Sequence, residues 1–128
     1  MQRLLLDTHV FLWWLTDDAR LGSVIREKLS NPQNEIYISA VSGWEISIKR
    51  SLGKLRAPES LYAFVEDAGF EHLPISFFHG EKSGGLPMHH RDPFDRMLTA
   101  QAQAEGLDIV TSDKDINKYG VFTIDASK

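Results

Sequence analysis

Short apolar segments alternate with helical segments along the chain, and this alternation constrains the fold more than any other feature. The strand-like segments are RLLL, EIYIS, FEHLPI, LDIVTSD and VFTID. The helical segments between them are THVFLWWL, SVIREKLS, AVSGWEISIKR, PESLYAFVEDAG, SFFHGEKSG and DPFDRMLTAQAQAEG. The alternation predicts an α/β domain with a mainly parallel sheet and helices on both faces. A chain of 128 residues fits one such domain, so we expect a single domain over residues 1–128.

Charge and composition narrow the classes of function. The net charge of −4 argues against a nucleic-acid binder, unless several acids are gathered in one place and neutralised by a divalent metal. The chain contains no cysteine, which excludes disulfides and thiolate chemistry. Its longest apolar run, VFLWWL, is far below the roughly 18 residues typical of a membrane span. We therefore expect a cytoplasmic protein without membrane contact.

Acidic residues follow two of the predicted strands and open the last long helix. Asp7 follows RLLL, Asp113 follows IVTS, and Asp115 comes two residues later. Asp92 and Asp95 lie at the start of the helix DPFDRMLTAQAQAEG. Asp is a preferred helix N-cap, and capping alone accounts for any one of these acids. In a parallel sheet, however, ligands bind beyond the carboxyl ends of the strands, which is where these acids collect.

Glu45 does not fit the capping explanation, because it lies inside a helix. At about 100° per residue, Val41, Ile48 and Leu52 fall on one apolar stripe, bordered by Trp44. Glu45 lies within that stripe. A glutamate on a buried face is costly unless it is paired or bound to metal. Pairing with an arginine, or a position where water reaches the face, is the structural alternative.

Carboxylates gathered at one edge of a sheet would repel one another if they were left bare. A divalent cation resolves the repulsion, and oxygen ligands without cysteine suit Mg²⁺ or Mn²⁺. Such a site activates a water for in-line attack on a phosphate and stabilises the departing oxygen. The residues therefore point to phosphodiester hydrolysis.

The stretches LLLDTHVFLWWL, ISAVSGWEISIKRSLGKL, LPMHHRDPFDRMLTAQA and LDIVTSDKDI also carry a family resemblance. Together they resemble the PIN-domain ribonucleases, and among these the VapC-type toxins of bacterial toxin–antitoxin pairs. HHRDPFDRML is the most specific of the matching stretches. The resemblance implies a PIN-like three-layer fold, with a mainly parallel central sheet and helices on both faces.

The resemblance also implies an activity and a site. It implies an endoribonuclease that depends on Mg²⁺, with Mn²⁺ able to substitute, and that acts as a toxin silenced by a cognate antitoxin, often as a homodimer. The family's four acids match Asp7, Glu45, Asp95 and Asp113, as catalytic residues and metal ligands. Secondary candidates near the metal are Asp92, Asp115, Thr8 and Ser112. Thr8, Thr111 and Ser112 are candidates for holding waters or orienting the carboxylates by hydrogen bonds, with ordinary strand-end or capping roles as the alternative. Asp115 competes with Asp113 for the fourth position.

Basic residues beside these motifs are candidates for contact with the RNA backbone. His89, His90 and Arg91 precede the acidic helix start, with a purely structural loop as the alternative. A basic stretch after the Glu45 helix is the second candidate, with a solvated face as the alternative: Lys49, Arg50, Lys54 and Arg56.

Trp13 and Trp14 are adjacent in a helix that is apolar on every side. Such a helix is either buried all round or presents one face to a partner. We therefore treat the two tryptophans as candidates for a dimer or antitoxin contact, which requires that they are not both fully buried in one chain. A core role is the alternative.

Three other functions remain to be weighed. A haloacid-dehalogenase-type phosphatase needs a second Asp two residues after the first, and position 9 is His9. A receiver-type signalling domain needs paired acids after the first strand, but Asp7 is followed by Thr8. A catalytically inactive PIN-like module that binds RNA or protein would not need all four acids.

Overall fold

A five-stranded parallel sheet lies at the centre of the computed structural model, which describes residues 1–89 and 91–128. The strands are β1 (Arg3–Leu6), β2 (Glu35–Ser39), β3 (Glu71–Leu73), β4 (Asp108–Thr111) and β5 (Thr123–Asp125), in the order β3-β2-β1-β4-β5. The helices are α1 (Thr8–Leu15), α2 (Ser23–Ser30), α3 (Ala40–Ser51), α4 (Leu61–Asp67), α5 (Phe77–Gly84) and α6 (Pro93–Glu105). The predicted α/β class with a parallel sheet is confirmed.

Helices cover both faces of the sheet, as predicted. Side chains alternate between faces along a strand, so Leu4 and Leu6 of β1 point one way and Leu5 points the other. Leu4 and Leu6 belong to a core cluster with residues of α1, α2 and α4. Leu5 belongs to a second cluster that includes Val41 of α3 and Leu98 of α6. All three leucines are fully buried, which explains why RLLL reads as an unbroken apolar run.

The strand order creates a crevice at the carboxyl end of β1. From β1 the chain crosses to β2 and β3 on one side, and only later returns to β4 on the other side. The reversal makes the β1–β4 boundary a topological switch point, the place where open parallel sheets bind ligands. The backbone N–H of Asp7 donates to the Val110 carbonyl at 3.0 Å, which holds the ends of the two strands together.

The fourth helix begins later than its sequence suggests. The segment PESLYAFVEDAG predicts a helix from near Pro58, but α4 starts at Leu61. Its N-cap, Ser60, has a φ of 54°, a left-handed conformation that breaks the helix at this point. The Pro58 carbonyl accepts a hydrogen bond from Nη1 of Arg50 at 2.6 Å instead of from a helical N–H.

The region between β4 and β5 contains an element that the sequence does not predict. A 3-10 helix covers Ile116–Tyr119, and four residues are too few to leave a periodic apolar pattern. The strands at the sheet edges are also shorter than their apolar segments. β3 and β5 have three residues each, and as edge strands each pairs with one neighbouring strand.

Candidate active site

Four acids from four different elements line one cavity at the switch point. Asp7 follows β1, Glu45 lies in α3, Asp95 lies in the first turn of α6, and Asp113 follows β4. All four line a cavity of about 320 Å³, called here the acidic cavity, together with Asp92. These positions are separated widely in sequence, so only the tertiary fold brings them together.

Asp7 is only 2% exposed, and both of its carboxylate oxygens accept hydrogen bonds. Oδ1 accepts the backbone N–H of Thr8 at 2.7 Å, so Asp7 is also the N-cap of α1. Oδ2 accepts the Thr111 hydroxyl at 2.6 Å and lies 3.3 Å from Nδ1 of His9. Burial raises the pKa of the Asp7 carboxyl and repulsion from Glu45 adds to the rise, while His9 and the two hydrogen bonds oppose it. Capping and membership of the site are thus compatible.

Glu45 is 7% exposed and carries an unsatisfied oxygen. Its Oε2 accepts from Nζ of Lys49 at 2.6 Å, one helical turn away. Its Oε1 is buried and has no hydrogen-bond partner among the described residues. The predicted burial of Glu45 is confirmed, but the partner is a lysine and not the arginine considered above. The hydrogen bond to Glu45 raises the pKa of Lys49, and the charges of Asp92 and Asp95 add to the effect.

The apolar stripe predicted around Glu45 is wrong in part. Leu52, the C-cap residue of α3, is 63% exposed, and Trp44 in the first half of the helix is also exposed. The buried residues of α3 are Val41, Ser42, Glu45 and Ile46.

The start of α6 places two acids at the rim of the cavity. Asp92 is the N-cap and accepts the N–H groups of Phe94 at 2.8 Å and Asp95 at 3.3 Å through Oδ1. Pro93 occupies the first turn, where its missing N–H is not needed. Asp92 therefore fixes the end of α6, and Asp95 projects from the first turn into the shared cavity.

Asp113, and not Asp115, lines the acidic cavity. The N–H of Asp113 donates to the Thr111 hydroxyl at 3.0 Å, and its Oδ1 accepts the N–H of Asp115 at 2.9 Å. Asp115 itself pairs with Nζ of Lys118 at 2.9 Å. The position of Asp113 in the cavity favours it over Asp115, and its role as the fourth acid stays a prediction.

Of the secondary candidates Thr8 and Ser112, only Thr8 is among the residues that line the acidic cavity. The Thr8 hydroxyl bonds to Oγ of Ser42 at 2.9 Å and Thr8 lines the acidic cavity. Oγ of Ser112 lies 2.8 Å from Nε2 of His9, the ring whose Nδ1 contacts Asp7. Thr111, a sequence candidate for orienting the carboxylates, bonds to Asp7, whereas His9, which also touches Asp7, is absent from the predicted site. Thr111 ends β4 and His9 lies two residues after Asp7 in the first turn of α1, and both positions are visible in the sequence.

The candidate basic residues are dispersed. Lys49 lies in the acidic cavity and Arg50 binds the Pro58 carbonyl, so neither is a free surface cation. His89 is exposed and packs edge-on against Tyr119, with ring centroids 5.1 Å apart. Arg91 is exposed, and His90 lies outside the described residues.

Trp13 and Trp14 are half-buried, so α1 is not enclosed on every side. Trp14 packs against Phe70 with ring centroids 5.6 Å apart, and both tryptophans border the core cluster of Leu4 and Leu6. The condition set for a partner contact is met, and the contact itself stays a prediction.

The donor set suits a hard divalent cation, because it consists of carboxylate oxygens around one cavity and includes a buried oxygen without a partner. Within residues 1–89 and 91–128, no three acidic or histidine side chains already converge closely enough to hold an ion. The Lys49 ammonium group instead compensates part of the negative charge. Over the same residues, no helix is long and apolar enough to cross a membrane.

Comparisons with known proteins agree with this architecture. A family model described as PIN domain matches residues 4–121. The fold is similar to a chain of the DNA-bound VapBC structure from Salmonella typhimurium, with 23% identity, 98% of each chain covered and a TM-score of 0.72. A structure of VapBC2 from Rickettsia felis bound to a promoter DNA fragment gives 17% identity, coverage of 96% of this chain and 98% of the other, and a TM-score of 0.72. A sequence comparison with curated proteins finds no match.

Proposed function

The chain belongs to the PIN domain family, and from this premise we propose that it is a metal-dependent endoribonuclease that acts as the toxin of a toxin–antitoxin pair. The observation that carries the proposal is that Asp7, Glu45, Asp95 and Asp113 line one cavity at the sheet's switch point. A phosphodiester is the substrate that such a cavity suits once its charge is balanced by a divalent cation.

Mg²⁺, or Mn²⁺ in its place, would be held by the four acids that share the cavity. When bound, the ion supplies an activated water and charge stabilisation for the departing oxygen. The buried, unpartnered Oε1 of Glu45 supports this assignment, since a buried carboxylate oxygen without a partner is destabilising in the free protein.

The surrounding side chains orient the acids for this role. The Thr8 N–H and the Thr111 hydroxyl fix both oxygens of Asp7, so the carboxylate cannot rotate away from the cavity. Thr111 also accepts the N–H of Asp113, which ties the first and fourth acids to one hydroxyl. Lys49 neutralises Glu45 and lies close enough to Asp92 and Asp95 to feel their charge. Such preorganisation limits rearrangement when charge develops in the transition state.

The test is RNA cleavage by the purified protein with Mg²⁺, with Mn²⁺ and with a chelator. We expect cleavage with either metal and none with the chelator. Asp7→Asn and Asp95→Asn should each abolish cleavage while the fold is retained. Asp67→Asn is a matched control, because Asp67 is an exposed residue at the end of α4 and does not line the acidic cavity. Cleavage by the Asp7→Asn/Asp95→Asn double variant would defeat the assignment and leave a binding module as the better description.

An antitoxin and a second copy of the chain are the proposed protein partners. The VapBC structures, whose fold this chain resembles, support an antitoxin. The half-buried tryptophans Trp13 and Trp14 are the candidate contact. Light scattering of the purified protein tests the homodimer, and co-expression with the neighbouring small reading frame tests the antitoxin. A monomer that does not co-purify with that product would contradict both.

A further inference from the structure

A second cavity, called here the side cavity, adjoins the acidic cavity. Its volume is about 550 Å³. His9, Leu12 and Leu55 line both cavities, so the two form one continuous depression. A substrate whose phosphodiester lies over the acids would therefore extend into the side cavity.

The wall of the side cavity contains a fixed aromatic platform. The Trp13 ring is braced edge-on by His9, with centroids 5.0 Å apart and planes at 69°. The Arg20 guanidinium carbon lies 5.0 Å from the centroid of the Trp13 ring. Arg20 is itself held by two hydrogen bonds to Asp18, of 3.0 Å from Nε and 2.8 Å from Nη2. Indole and guanidinium together present the flat surfaces on which unpaired bases stack.

The side cavity has a small excess of positive charge, whereas the acidic cavity is negative. Arg20 and Arg56 line it, against a single acid, Asp18. No hydrogen bond or ion pair holds Arg56 among residues 1–89 and 91–128. Since the whole chain carries a net charge of −4, this local excess of positive charge marks a place where an RNA backbone is attracted.

We propose that the side cavity binds an unpaired RNA base next to the scissile phosphodiester, with the base stacked at Trp13 and the adjoining phosphate at Arg56. The inference rests on the proposed ribonuclease function and adds to it a base-binding subsite beside the acidic cavity. Because every base has a π-face, stacking at Trp13 selects unpaired nucleotides and not a particular base.

Trp14 provides the matched control. It is adjacent to Trp13 and equally half-buried, but it packs on Phe70 and lines a different cavity, near Leu29 and Pro32. A loss of general packing in α1 would affect both positions, whereas a loss of base stacking would affect only Trp13.

The experiment measures binding of fluorescein-labelled oligoadenylate RNA by anisotropy, in chelator so that the RNA stays intact. Trp13→Leu should weaken binding about 5- to 150-fold, the range for one stacked base, while Trp13→Phe should weaken it less than about 5-fold. The matched substitution Trp14→Leu should leave the affinity unchanged. With an oligonucleotide carrying abasic riboses at its centre, the wild type and Trp13→Leu should bind equally.

Arg56→Gln gives a second readout that does not depend on the core. Arg56 is exposed, so its replacement leaves the fold intact. It should reduce the slope of log Kd against log salt by about 0.7, the effect of one single-strand phosphate contact. An unchanged slope would count against the phosphate contact.

The outcomes separate this inference from the ribonuclease proposal. If the wild type cleaves RNA in Mg²⁺ and Trp13→Leu keeps both its affinity and its KM, the stacking subsite is overturned and the nuclease stands. An equal loss for base-containing and abasic RNA would also overturn the subsite. If the wild type neither binds nor cleaves RNA, both proposals fail.

Discussion

Replacing Asp7 by asparagine should remove activity without destabilising the protein. Asp7 is nearly fully buried, and burial together with Glu45 disfavours its charge. A neutral isostere relieves both effects. The site is thus built from a group whose ionised form opposes folding, and the variant tests this directly.

The contacts of Asp7 give the expected change in the free energy of unfolding for Asp7→Asn. Asparagine is as good an N-cap as aspartate, so the 2.7 Å bond from the Thr8 N–H should survive. The 2.6 Å bond from the Thr111 hydroxyl changes from a charged to a neutral one, a loss of about 1–1.5 kcal/mol. The attraction of His9 is also lost. Against these losses, the effective penalty of burying an ion is several kcal/mol. We therefore expect Asp7→Asn to be at least as stable as its parent.

Two assays at neutral pH test this expectation: a thermal melt of the metal-free protein, and RNA cleavage after Mg²⁺ is added. Thermal melting should give an unchanged or higher Tm, and cleavage with Mg²⁺ should fall at least about 100-fold. For a chain of this length, 1 kcal/mol corresponds to about 3–5 °C in Tm. A loss of more than about 5 °C would refute the reasoning, because it would mean that the Asp7 charge stabilises the fold.

The pH dependence of the free energy of unfolding tests whether the pKa of Asp7 is raised. Because the pKa of Asp7 is higher in the folded protein than in the unfolded chain, the folded state binds this proton more tightly. The parent's free energy of unfolding should then fall as pH rises from the ordinary value of 3.8 through the raised value. Asp7→Asn lacks this dependence, so its stability advantage should grow across that window and be constant above it. An advantage that shrinks with rising pH would contradict the raised pKa.

Three further predictions concern the supports of the site. Thr111→Val should lower the free energy of unfolding by about 1–3 kcal/mol, because it leaves Asp7 Oδ2 and the Asp113 N–H without their shared hydroxyl partner. Thr111→Ser keeps that hydroxyl and should lose much less stability, as compared in thermal melts. Gln101→Leu should lower the free energy of unfolding by a similar amount, because buried Gln101 accepts from Oγ of Ser39 at 2.5 Å and donates to the Pro74 carbonyl at 3.2 Å. Denaturant unfolding measures this loss, and an unchanged midpoint would show that these two hydrogen bonds are dispensable. Mg²⁺ at about 100 times its Kd should stabilise the parent by about 2.7 kcal/mol but not Asp7→Asn, and equal shifts would place the ion elsewhere.

Much of the fold follows from local patterns in the sequence. RLLL and EIYIS predict β1 and β2, and THVFLWWL and SVIREKLS predict α1 and α2, with the bounds that the structure has. These elements are predictable because strand and helix periodicities and capping residues act over a few neighbours. The start of α4 was not predictable in this way, because it is set by the left-handed backbone of Ser60, which an apolar pattern does not record.

The candidate acids were visible in the sequence, but their relation to one another was decided by the tertiary structure. Residue types, a family resemblance and strand-end positions single out Asp7, Glu45 and Asp95. Which of Asp113 and Asp115 lines the acidic cavity depends on where the chain turns after β4. The Lys49 partner of Glu45 and the bonds from Thr111 and His9 to Asp7 depend on distances between elements. Periodicity records which face a residue occupies, whereas a site requires atoms from distant segments to meet, and only packing of the whole chain determines that.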